Sequence, residues 1–79
     1  MWHYMTKYSF DPSKQVIGPF NTEEEAWNDM HDVAMKEYEH DINNGFKTKI
    51  IKDKECGEIT IKNFFTTHTD VTEFFLFHM

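Results

Sequence analysis

The sequence predicts an α+β fold: a two-layer sandwich in which one amphipathic helix lies on one face of an antiparallel sheet of about five strands, in the order ββαβββ. Three observations carry this expectation. One run, opening at Thr22, repeats its apolar residues at helical spacing; the segments before and after it alternate with period two; and turn residues separate each from the next. The 79 residues leave room for a single domain, 1–79. A chain of this size hides only about 60% of its unfolded surface. With a single leucine, Leu76, and 16% aromatic residues, the core has to be built largely from rings, each of which removes a large apolar area from water.

Residues 2–10 alternate, with Trp2, Tyr4, Thr6, Tyr8 and Phe10 on one side and His3, Met5, Lys7 and Ser9 on the other, so the first strand has one aromatic face. Asp11-Pro12-Ser13-Lys14 has the composition of a type I turn and leads into a short strand at Gln15-Val16-Ile17, giving a hairpin. Gly18-Pro19 interrupts the pairing, because proline donates no hydrogen bond and glycine accepts dihedrals closed to other residues.

The helix starts at Thr22. Thr22 and Glu25 form the S/T-x-x-E capping box, and Glu23 and Glu24 complement the positive end of the helix dipole. Ala26, Trp27, Met30, Val33 and Ala34 form one apolar stripe, extended by Tyr38. Glu37 and Asp41 fall on that stripe too, so the last turns are expected to overrun the sheet or fray before Asn43-Asn44-Gly45. Three further strands follow: Phe46 to Lys52, Glu58 to Phe65, and Val71 to His78. The last is apolar on both faces, as a central strand should be.

Charge supplies the functional expectation. Eight lysines and no arginine stand against fourteen acidic residues, for a net charge of -6, and about half of the acids lie between Glu23 and Asp41. Such a field repels nucleic acid and acidic membranes and attracts basic protein surfaces. No stretch approaches the roughly 20 apolar residues of a membrane span. The N-terminal residues lack a secretory pattern, and Cys56 is alone, so a cytoplasmic protein is expected.

Catalytic chemistry finds little support in the residue pattern. Glu37-x-x-His40 has a spacing used by di-metal helix bundles, but those sites draw ligands from several helices and this chain has one. Cys56, between Glu55 and Gly57 in a turn, has no assignable base. Carboxylate pairs on a convex helix face lack a cleft that could separate their pKa values. No phosphate-cradling glycine loop occurs. The expectation is a non-enzymatic protein without metal or cofactor.

Val16-Ile17-Gly18-Pro19-Phe20-Asn21-Thr22-Glu23-Glu24-Glu25-Ala26 resembles the strand-to-helix junction of SPOR repeats, which are bacterial peptidoglycan-binding domains. The likeness spans those residues only, and SPOR repeats have two helices. In size and acidity the chain is also similar to small phage-encoded inhibitors, including anti-CRISPR and DNA-mimic proteins. Two functions are therefore expected in competition. In the first, Glu24, Glu25, Asp29, Asp32 and Glu39 dock on the basic surface of a protein partner and occlude a nucleic-acid site there, with no direct contact to nucleic acid or membrane. In the second, the aromatic sheet face, with Trp2, Tyr4 and Tyr8 as stacking platforms, binds a small ligand or peptidoglycan. A surplus of apolar residues on the face away from the helix, or a free strand edge, also predicts a homodimer.

Overall fold

The computed structural model describes residues 1–79. Its elements are β1 (Trp2–Tyr8), β2 (Asp11–Phe20), α1 (Glu23–Asn43), β3 (Lys47–Asp53), β4 (Glu58–Phe64) and β5 (Thr69–His78). The strands form one antiparallel sheet in the order β2-β1-β5-β4-β3, with α1 across one face. This is the expected ββαβββ sandwich. The strand that is apolar on both sides, β5, takes the centre: its two flanking strands cover its edges while α1 covers Thr72 and Phe74.

The core lies between helix and sheet. Trp27, Met30 and Ala34 of α1 meet Tyr4 of β1, Ile59 and Ile61 of β4 and Phe74 of β5, with Ile17, Phe20, Tyr38, Ile50 and Leu76 packed around them. Thr22 caps the helix in extended conformation, and its Oγ1 accepts a hydrogen bond from the Glu25 backbone N–H at 3.1 Å. Only the hydroxyl half of the capping box forms; the Glu25 carboxylate makes no bond back to the Thr22 N–H.

Two expectations about the helix are corrected. Val33 is 42% exposed, because it sits about 100° around the axis from Ala34, past the edge of the arc that meets the sheet. The helix end does not fray. Asp41 is buried, and its Oδ2 accepts from Asn63 Nδ2 at 2.9 Å, while Asn63 Oδ1 accepts from Thr48 Oγ1 at 2.7 Å. This chain of bonds ties the last turn to β4 and β3. The backbone is closed by Asn44 N–H to the His40 carbonyl and Gly45 N–H to the Ile42 carbonyl.

The first hairpin also turns elsewhere than expected. Tyr8 pairs with Asp11, so the reversal falls at Ser9-Phe10, while Pro12 and Ser13 bulge between the Tyr8–Asp11 and Lys7–Lys14 pairs. The Asp-Pro chemistry is still used locally, since Asp11 Oδ1 accepts from the Ser13 N–H at 2.9 Å. An edge strand tolerates this, because the outward side of proline needs no donor there. A second bulge contains Gly18, whose φ of +148° and closeness to His3 exclude a side chain: a Cβ there would lie 2.5 Å from His3 Cδ2.

Candidate interaction surfaces

Residues paired across an antiparallel ladder share a face, so the register fixes the two surfaces of the sheet. Tyr4 pairs with Leu76, Thr6 with Phe74 and Tyr8 with Thr72, and these face the helix. Trp2, Tyr4 and Tyr8 therefore lie on the covered side, which corrects the expectation that they are platforms on the open face. Tyr4 is 1% exposed, and its hydroxyl donates to Asp29 Oδ2 at 2.7 Å. Burial, then that bond and the Asp29 charge, hold its phenol well above the usual range.

The open face carries the odd-numbered residues of β1. His3 pairs with Phe77 and Met5 with both Phe75 and Val16, making an apolar centre. Around it stand five lysines, Lys7, Lys14, Lys47, Lys49 and Lys62. The charges are thus segregated by layer. Acids dominate the helix and most lysines lie on the opposite side of the sheet.

On the helix, Glu24, Glu25, Asp29, Asp32 and Glu39 are all exposed. Glu25, Asp32 and Glu39 lie directly opposite the buried arc, and Asp29 and Glu24 flank them on either side. No lysine comes within 4.0 Å of any carboxylate; both ion pairs in the molecule use histidine, His40 with Asp41 and His68 with Asp70. The five carboxylates are therefore unneutralised by the chain itself. Asp29 differs from the others, because one of its oxygens is engaged by Tyr4; it does not simply point away from the fold. Glu24 also lines an open cleft of about 340 Å³ with Glu23, Trp27, Lys54 and Leu76.

The remaining candidates lie apart from one another. No group of three or more His, Cys, Asp or Glu side chains converges as a metal site would require. Glu37 is half-buried, and burial followed by the Asp41 charge raises its carboxyl pKa. Cys56 is exposed, with its thiol pKa raised by a hydrogen bond to Asp53 and by the Asp53 charge, the reverse of what an activated nucleophile needs. No helix is long and apolar enough to cross a membrane. Comparison with known protein families, curated proteins and solved structures returns no match.

Proposed function

We propose that this protein is a non-enzymatic binding module whose helix surface occupies a basic surface of a protein partner, in the manner of a DNA mimic or phage-type inhibitor. The observation that supports this reading is the row of exposed carboxylates on α1 without a lysine in ion-pairing range. A rigid helix holds such charges at fixed spacing, so a partner that binds phosphates can accept them instead. Charge of this kind speeds encounter and makes affinity fall with added salt.

The test is capture of partner proteins by the immobilised chain at about 50 mM salt, followed by elution with duplex DNA, compared with a variant carrying Asp32→Lys and Glu39→Lys. Asp29 is left intact because it holds Tyr4. The expected result is nucleic-acid-binding proteins that DNA displaces and that the variant fails to retain. Equal capture by the variant would reduce the acidic face to a solubilising coat.

A further inference from the structure

At one corner of the open face, β3 and β4 place lysines and an unpartnered ring in a block free of acids. Lys49 lies directly opposite Lys62, and in the next row Lys47 lies opposite Phe64. The positions that continue these rows onto β5 are Val71 and Thr69, and the neighbours along the strands on the same face are Ile51 and Thr60. Apart from one another, the three lysines have only uncharged residues directly opposite them or next along the strands on this face, and the nearest acid, Glu73, lies on the diagonal from Lys62. Like charges placed directly opposite one another destabilise a sheet. Elsewhere the molecule relieves such a contact: Lys7, which faces Lys14, has Glu73 on its other side. Lysines on β3 serve to guard an edge strand, but that role does not reach Lys62, on the interior strand β4.

The same corner exposes rings. Phe46, Phe64 and Phe65 are 42%, 40% and 38% exposed. Phe46 and Phe65 pack edge to face at 5.6 Å, and Phe65 stacks on His68 at 4.9 Å, whereas Phe64 has no aromatic partner in the molecule. An exposed, unpaired ring among three unneutralised ammonium groups matches the chemistry of a nucleotide strand, in which bases stack on aromatic side chains and phosphates follow the cations.

We propose that the corner formed by Lys47, Lys49, Lys62 and Phe64 binds single-stranded nucleic acid, a base stacking on Phe64 and the flanking phosphates meeting the lysines. This departs from what the net charge suggests. The acidic helix is on the far side of the sheet, and the molecule measures 23 and 19 Å in its two shorter dimensions, at least twice the screening length of about 8 Å at physiological salt. Local charge therefore governs the corner. An acidic polypeptide would also suit the lysines, but it has no use for the ring.

The experiment is fluorescence anisotropy of a labelled oligothymidylate of roughly 15 nucleotides, titrated with the full chain across a salt series. Binding should weaken with salt with a log–log slope of about -2, as expected for three phosphates on a single strand. Phe64→Leu, which keeps apolar bulk at a half-exposed position, should weaken binding about tenfold while leaving that slope unchanged. Lys49→Ala with Lys62→Ala should bring the slope to about -0.7; removal of an opposed like-charge pair leaves the fold intact, as circular dichroism would show. Three results would overturn the proposal: no anisotropy change at low salt, an affinity indifferent to Phe64→Leu with polyglutamate competing equally well, or sedimentation showing that these lysines instead hold a second copy.

Discussion

The Tyr4–Asp29 hydrogen bond fixes how β1 sits under the helix. A buried phenol without a partner would cost about 1 to 3 kcal/mol in desolvation of its hydroxyl, and Asp29 supplies that partner from the helix flank. Tyr4→Phe is expected to lower stability by about 1 kcal/mol in denaturant titration, since Asp29 is exposed and can turn to water. Asp29→Ala combined with Tyr4→Phe should cost clearly less than the two single changes added together; strict additivity would show that the bond contributes nothing. Glu37 gives the opposite kind of effect. Burial and Asp41 raise its folded pKa, so the native state favours the protonated form, and the stability that form provides is lost as pH rises above the usual glutamate range and through the raised value. Glu37→Gln should accordingly raise the melting temperature at pH 7 and leave it unchanged below about pH 4. A gain of the same size at both pH values would contradict this origin.

Among the elements, α1 depends on its cap and its one large ring. Thr22→Ala is expected to cost about 1 kcal/mol and Trp27→Ala about 3 to 5 kcal/mol, both measurable as shifts in the denaturation midpoint; a near-neutral Trp27→Ala would mean that the helix is not anchored where the core places it. The features legible in the sequence were the local ones. Thr22 with its following acids marks the helix start, and the two-sided apolarity of residues 71–78 marks the central strand. Which side of β1 meets the helix was not legible, since Trp2, Tyr4 and Tyr8 alternate with His3 and Met5 and both sides are apolar enough to be buried. The choice is made by long-range partners, Asp29 above and Phe74 beside. Asp41 follows the same logic: an acid on an apolar stripe looks like a defect until Asn63, 22 positions away, is brought beneath it. The lysine corner could not be read either, because it depends on the register of β3 against β4.

For the whole molecule, the two-layer arrangement sorts charge as well as hydrophobicity. The helix excludes lysine from its outer surface, apart from Lys36, and the strands direct most lysines away from it. Strand pairing between copies is opposed at both ends of the sheet: β2 is broken by two bulges and two prolines, and β3 presents Lys47, Lys49 and Lys52. Of the two routes to the expected homodimer, edge pairing is thus opposed, which leaves the apolar centre of the open face around Met5, Phe75 and Phe77.

The central position of β5 has a consequence for the order in which the protein can fold. Without Thr69–His78 the sheet falls into two separate hairpins, β1 with β2 and β3 with β4, that share no ladder. Each hairpin alone is marginal in water, and the helix has no continuous surface on which to lie. The β1–β5 ladder joins Trp2 to His78 and Tyr8 to Thr72, so the decisive contacts close the longest loops in the chain, which favours slow, all-or-none folding. A growing chain should therefore stay unfolded on the ribosome until its final strand has emerged. A fragment of residues 1–67 is expected to show no cooperative thermal transition by circular dichroism; a sharp transition in that fragment would show that the hairpins and helix assemble without the strand that joins them.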